Sequence, residues 1–283
     1  MNHTHLAYNQ IDKDDKVLDV GGAAQPFNRA NFVIDLLPYE ERNEKNTFFL
    51  KNIDQRFSKD TWIQQNICDD TKPFPFRDKE FDFVICGHTL EDLYNPFHVL
   101  REMQRVGKRG YIEVPSRFYE QLPGLEHKKM CGASHHHWII ELEKDENNKK
   151  ILVFRFKNHL IHFSKKYRLK KPLHSKHFPF LNPNFEVLGI FWENEINFCE
   201  KIEETAKGDM SFFENTVELS KKIGKELWDT QQPIPIELSK KILEGGMRSV
   251  IELKNITTIR EPIFNKNRQT TTEIKKYEEK YNN

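Results

Sequence analysis

The chain has little cysteine: Cys68, Cys86, Cys131 and Cys199 are scattered along 283 residues, with no CxxC pair. That spacing argues against a disulfide framework and reads as reduced thiols. No apolar run reaches the roughly 18–20 residues that a bilayer span requires. Residues 1–16 lack the apolar stretch of a secretory signal, so a cytoplasmic location is expected. Neither sign of charge dominates: 44 basic residues face 43 acidic ones, for a net charge of +1. A dedicated nucleic-acid binder usually carries a strongly basic domain, and this balance argues against one. Internal repeats and long low-complexity tracts are missing, as is the G-x-G-x-x-G loop that a dinucleotide fold places against a pyrophosphate.

What is present suffices for a core. The hydrophobic fraction is 37% and the charged fraction 31%, and the length allows one large domain or a core with an appendage. KVLDV closes on Gly21 and Gly22 and reads as a buried strand, and NFVIDL as a second. WIQQNIC (62–68) is a weaker third, with a helical turn before it. FDFVICG (81–87) is nearly all apolar, as a strand covered on both faces should be, and GYIEVP (110–115) is a fifth. Between the last two, Asn95 is placed to cap a helix, Pro96 suits its first position, and Gly107 follows its last turn. Phe97, Leu100, Met103 and Val106 recur at helical spacing and give that helix one apolar face. Strands alternating with such connections predict a parallel α/β sheet.

The alternation ends near residue 120. WIIELEKDENNKKILVFRF predicts a hairpin around a turn rich in Asp and Asn. FEVLGIFW and SVIELKN are further strand candidates, and SFFENTVELSKKIGKELWDT a helix. Residues 264–283 have little to bury and read as a charged, solvated tail.

In an open parallel sheet, ligands sit beyond the carboxyl ends of the strands. Gly21 and Gly22 let a ligand approach the backbone closely. Asp35 ends the next strand and could accept both hydroxyls of a ribose. Asp69, after the third strand, could accept a hydrogen bond from an exocyclic amine, with Asp70 as the alternative. Together these make an adenosine site. Only residues 21–31 separate the first two strands, close to the roughly 10–12 residues that such a crossover needs. A helix of more than a turn or two has no room there, which favours a cofactor without a pyrophosphate.

At these residues the sequence resembles the class I S-adenosylmethionine-dependent methyltransferases. VLDVGGA is similar to their first motif, VIDL to the second, NICDDTKPFPFRDKEFDFVICGHTLEDLYNP to the third and fourth, and REMQRVGKRGYIEVPS to the fifth strand with its preceding helix. The wording resembles a bacterial methyltransferase-domain subgroup, type 11-like, often linked to surface-glycan or small-metabolite modification. That subgroup carries an HHRW element, here HHHW. The likeness covers roughly residues 14–140. It departs from the wider pattern at the adjacent glycines and at Leu90-Glu91-Asp92, where L-E-H is frequent. The resemblance implies a Rossmann-like, doubly wound, mostly parallel sheet in residues 1–120. An α+β extension, residues 121–264, would form the acceptor pocket and lid, and residues 265–283 a charged tail. It implies S-adenosyl-L-methionine as cofactor, lined by Asp19, Gly21, Gly22, Asp35 and Asp69, with His88 near the methionine end.

Methyl transfer is an in-line displacement that rewards positioning, and a hydroxyl acceptor gains from a general base. CGASHHHW (131–138) offers His135, His136 and His137. If this stretch is extended, His135 and His137 share a face and His136 points away. Three roles stay open for them: catalysis or acceptor binding, a metal site of His135 and His137 with Cys131 or another histidine, or structure. The partial ligand set assigns no metal. Trp138 reads as core or as a wall of the acceptor pocket. The basic stretch 159–178 could meet an acidic acceptor such as a phosphorylated or nucleotide-linked sugar, and Arg117 and Tyr119 are further candidate contacts. The expected function is O-methylation of a small polar or sugar-type acceptor. A non-catalytic methyltransferase-like interaction subunit is the rival, and a nicotinamide-dependent oxidoreductase is disfavoured by the missing glycine motif.

Overall fold

Each apolar run of the N-terminal half becomes a strand of one sheet. In the computed structural model, residues 5–23, 26–42, 55–123, 126, 129–157, 159–169, 187–201 and 210–230 are described. The elements are α1 (His5–Tyr8), β1 (Val17–Val20), β2 (Phe32–Asp35), β3 (Trp62–Gln64), β4 (Phe81–Gly87), α2 (Pro96–Val106), β5 (Gly107–Pro115) and α3 (Arg117–Gln121). They continue with β6 (Trp138–Lys144), β7 (Lys150–Phe156), α4 (His159–Phe163), β8 (Val187–Glu193), β9 (Phe198–Glu200) and α5 (Ser211–Thr230). The first sheet has the order β3-β2-β1-β4-β5-β8. Its first five strands run parallel, and β8 closes the edge antiparallel to β5. This is the mostly parallel, Rossmann-like α/β sheet that the sequence predicts.

Side chains alternate across that sheet as a pleat demands. Leu18, Val20, Val84, Cys86, Ile112 and Val114 share one buried cluster with Leu100, Met103 and Val106 of α2 and with Trp138, Ile140 and Phe154 of the second sheet. Val17, Phe83, Ile85 and Tyr111 point the other way and pack on Ala7, Phe27 and Ala30. The second face is thus covered by α1 and by the short β1–β2 connection. The described residues of that connection contain no helix.

Helix α2 starts as its sequence directs: Asn95 accepts the backbone N–H of His98 at 3.2 Å, and Pro96 occupies the first position. Its end differs. Gly107 has φ −107°, not the left-handed cap, and it also opens β5. A Cβ there would come within 2.5 Å of Val84 Cγ2, so close packing on β4 accounts for the glycine. Strand β3 is shorter than the predicted 62–68, because Asn66 turns back to accept the N–H of Cys68 at 3.0 Å.

The predicted hairpin is β6–β7, paired from Trp138↔Phe156 to Lys144↔Lys150. Asp145 Oδ1 organises its turn, accepting the N–H groups of Asn147 and Lys149 at 2.9 and 2.8 Å. β9 adds to β7 in parallel. The predicted strand 185–192 appears as β8, and the predicted helix 211–230 as α5. SVIELKN, the 265–283 tail and residues 170–178 of the basic stretch lie outside the described residues. No helix among the described residues is long and apolar enough to cross a membrane.

Candidate functional site

The parallel strands deliver their carboxyl ends to one edge, and the loops there interlock. Gly21 has φ +77°, and a Cβ on it would fall 2.3 Å from Thr89 Cγ2. Thr89, just past β4, donates to Gly21 O and Gly87 O at 3.2 Å each, so the loops after β1 and β4 are in contact. A Cβ on Gly22 would fall 2.3 Å from Asp19 Oδ2. That same oxygen accepts the N–H of Phe27 at 2.8 Å, tying β1 to the far end of its own loop. Burial lifts the Asp19 carboxyl to about 7 against that hydrogen bond, and the charge of Asp35 adds to the rise. Asp35, also buried, accepts the N–H of Ala23 through Oδ2 at 2.9 Å and that of Leu37 through Oδ1 at 2.8 Å. Its carboxyl is raised by burial, and the amides of Leu37, Ala23 and Leu36 oppose the rise. The predicted residues Asp19, Gly21, Gly22 and Asp35 are therefore brought together around one loop.

His88 follows β4 in the left-handed region, at φ +52°. Its Nε2 lies 3.0 Å from Glu113 Oε1 and its Nδ1 3.6 Å from Glu91 Oε1. Burial opposes its charge, but Glu113 and Glu91 outweigh it and lift the imidazole to about 10. Tyr111 donates to the other Glu113 oxygen at 2.8 Å. Neither Glu91 carboxylate oxygen has a hydrogen-bond partner, although the side chain is only 1% exposed. The Glu91 carbonyl, by contrast, accepts the N–H groups of His137 and Trp138, docking the β4 loop onto β6.

The histidine triplet arrives through that dock. Residues 134–135 form a turn, and Glu126 accepts both the N–H and the hydroxyl of Ser134 at 2.7 Å. Beside this turn the adjacent rings of His135 and His136 meet edge to face, with centroids 4.6 Å apart. His135 and His137 are exposed and His136 between them is buried, the alternation expected of an extended chain. His136 is buried, with Nδ1 2.5 Å from Glu120 Oε1, and Lys157 Nζ pairs with the other Glu120 oxygen. Burial opposes the Glu120 charge, but His136 and Lys157 prevail and hold its carboxyl below the usual range. Asp92 lies between the rings, its carboxyl raised to about 6 by burial and the nearby Glu91 charge.

The remaining candidates are more dispersed. Asp69 closes a turn past β3, accepting the N–H and hydroxyl of Thr71 at 3.1 and 2.6 Å. Cys131 is buried in a bridge to Pro123, away from a ligand role with His135 and His137. Arg117 is buried and committed to α5: it donates to Thr216 Oγ1 and to Phe212 O at 2.6 Å and lies over the Phe212 ring. It supports the fold rather than an acceptor. Tyr119 stacks on His136 at 6.4 Å, and Trp138 packs in the core while donating to Leu93 O. Sequence reasoning named Glu91 and Asp92 only as a departure from the family's L-E-H pattern and did not single out Glu113, Glu120 or Lys157. A charged residue inside an apolar strand, as Glu113 is within GYIEVP, was the available signal.

Residues 44–112 match the family model described as a methyltransferase domain. This match takes in the third and fourth motif stretches and part of the fifth, while VLDVGGA and VIDL precede it; it agrees with the likeness to class I methyltransferases of the type 11 kind, whose cofactor is S-adenosylmethionine. No curated protein matches the chain significantly. Among solved structures, a SAM-dependent methyltransferase from Thermotoga maritima is 14% identical over 40% of this chain and 50% of its own, with a TM-score of 0.28. One from Aquifex aeolicus is 18% identical over 41% of this chain and 65% of its own, at 0.28. One from Methanosarcina mazei is 15% identical over 52% of this chain and 92% of its own, at 0.30. The chain thus spans about half to two thirds of the length of the first two.

Proposed function

We propose that the strand-end site binds S-adenosylmethionine and that the chain transfers its methyl group to a small polar or sugar-type acceptor, most simply at oxygen. One observation carries the reading. In a sheet whose strands β3, β4 and much of β5 fall within the methyltransferase-domain match, the preceding Gly21–Gly22 corner and two strand-tip aspartates meet the His88 cluster at one edge.

The residues fit the cofactor in hydrogen bonding and charge. Asp35 accepts the amides of Ala23 and Leu37, with that of Leu36 also acting on it, and a carboxylate's roughly four acceptor positions leave room for a ribose hydroxyl. Glu91 brings a buried carboxylate to the same edge, with no hydrogen bond and with the His88 imidazole as a charged neighbour, suited to the positive methionine end of the cofactor. Asp19 holds the glycine loop, His88 stands on the methionine side, and Asp69 is kept for the base edge. When bound, S-adenosylmethionine supplies an electrophilic methyl group on a sulfonium.

The chain's own task is to hold an acceptor in line and to manage its proton. His135, His136 and His137 belong to this acceptor side. The exposed His137 serves the rim, while the likewise exposed His135 and the buried His136 both turn Nε2 toward Asp92. A basic stretch beginning at His159 offers charge for an acidic acceptor. Nucleic acid is disfavoured by the charge balance.

Calorimetric titration of the full chain with S-adenosylmethionine tests the cofactor site. Incubation of cell extract with the protein and a methyl-labelled donor, followed by mass spectrometry, identifies the acceptor. Absence of binding at millimolar cofactor would favour the rival reading, a non-catalytic interaction subunit that keeps the fold.

A further inference from the structure

We propose that Asp92, His135 and His136 form a binding site for one first-row divalent cation, with zinc the best match to the donor set. Among the described residues, these three place one ligand atom each within 4.8 Å of one another.

The rings are aimed rather than merely close. His136 Nδ1 is 2.5 Å from Glu120, and His135 Nδ1 is 3.3 Å from Glu126. Each imidazole is held through Nδ1 by its own carboxylate, so that in the neutral ring the Nε2 atom carries the lone pair that a metal would take. Both Nε2 atoms then turn on the same oxygen, Asp92 Oδ1, at 3.8 Å for His135 and 3.5 Å for His136. A carboxylate behind each imidazole is the arrangement that fixes tautomer and orientation in metal-ligating histidines. Behind His136 the support runs deeper, because Glu120 is locked by Lys157, whose Nζ also donates to Ala133 O at 2.9 Å.

The separations suit an ion better than a direct bond. Asp92 Oδ1 is buried and has no hydrogen-bond partner, and 3.5–3.8 Å is long for one. Two ligands at zinc distances of roughly 2.0–2.2 Å in a tetrahedral shell lie about 3.4 Å apart. Two imidazoles and one carboxylate are the donors that select zinc or iron(II) over magnesium or calcium. His135 is 60% exposed, which gives the ion an entry path and leaves a coordination position open to water or to an acceptor oxygen. Binding would also staple the β4 loop, which carries Asp92, to the segment leading into β6. A role in lowering the pKa of an acceptor hydroxyl rests on the methyl-transfer reading; the site itself does not.

The test is a zinc titration of chelator-stripped full chain against a chromophoric competitor, with cobalt(II) absorption as a second readout. The expected result is one zinc per chain at micromolar affinity or tighter, with intense visible cobalt bands. Asp92→Asn and the solvent-side variant His135→Ala should each weaken binding at least a hundredfold with unchanged circular dichroism, and Glu126→Gln about tenfold to a hundredfold. Wild-type protein that takes up no stoichiometric zinc, or folded Asp92→Asn and His135→Ala that bind it undiminished, would overturn the site. The same samples are titrated with S-adenosylmethionine. Cofactor binding without zinc uptake sinks the metal site and leaves the methyltransferase reading standing. Zinc uptake without cofactor binding supports the site and removes its role in methyl transfer.

Discussion

Asp35 Oδ2 accepts the backbone N–H of Ala23 at 2.9 Å, so the tip of β2 holds the loop that leaves β1. A carboxylate proposed to receive a ribose is thus already fixed in place by the chain. Asp35→Ala should weaken S-adenosylmethionine binding tenfold or more and lower stability by about 1–3 kcal/mol through the orphaned amides. Calorimetry and urea unfolding read the two effects separately. Wild-type affinity in the folded variant would remove Asp35 from the cofactor site.

Gly21 faces two constraints, a positive φ of 77° and Thr89 Cγ2 where a Cβ would go. Gly21→Ala should therefore destabilise by about 2 kcal/mol or more. Adding Thr89→Ala should recover the steric part and leave the backbone part. Equal stability of Gly21→Ala and wild type in urea would contradict the contact.

His88 is flanked by Glu113 and Glu91, with the Tyr111 hydroxyl on the far Glu113 oxygen. Its folded pKa of about 10 lies above its ordinary 6.5. The stabilisation from its charged pairing is present in full below about pH 6.5 and is lost as pH rises through 10. The stability difference between wild type and His88→Ala should shrink across that window, and Glu113→Gln should bring the imidazole titration down in NMR spectra. A difference that stays flat from pH 6 to 10 would show that the pair does not form in solution.

Arg117, buried against Thr216, Phe212 and Glu141, joins α3 to α5 and β6. Arg117→Met should cost about 2–4 kcal/mol, because the buried Glu141 carboxylate keeps only the positive charge of Arg155 beside it and the Thr216 and Phe212 acceptors lose their donor. Glu141→Gln in that background should restore part of the loss in urea melts. A loss below about 1 kcal/mol in Arg117→Met would place this arginine at the surface.

The elements most legible in the sequence were those built from local rules. Asn95 and Pro96 announce α2, alternation and apolar runs announce β1, β2 and β4, and the Asp145 turn announces the β6–β7 hairpin. Gly21, Gly22 and Asp35 could be found because strand tips in a parallel sheet share an edge. The acidic cluster could not be found in this way. Glu120 meets His136 across 16 residues and Lys157 across 37, contacts that exist only once the hairpin folds back on α3. The contact between the His135 and His136 rings was hidden for a related reason. Glu126 pins Ser134 into a turn, and no periodicity within CGASHHHW encodes a partner lying outside it.

The antiparallel seam between β5 and β8 has a consequence for how the chain is made. Seven residue pairs join them, from Arg109↔Glu193 to Pro115↔Val187. A nascent chain whose first five strands have left the ribosome still shows the bare main-chain rim of β5, the kind of surface on which copies of a protein aggregate. That rim stays uncovered until Glu193 emerges, with the whole β6–β7 hairpin synthesised in between. A product stopped short of this point would be sticky rather than merely smaller.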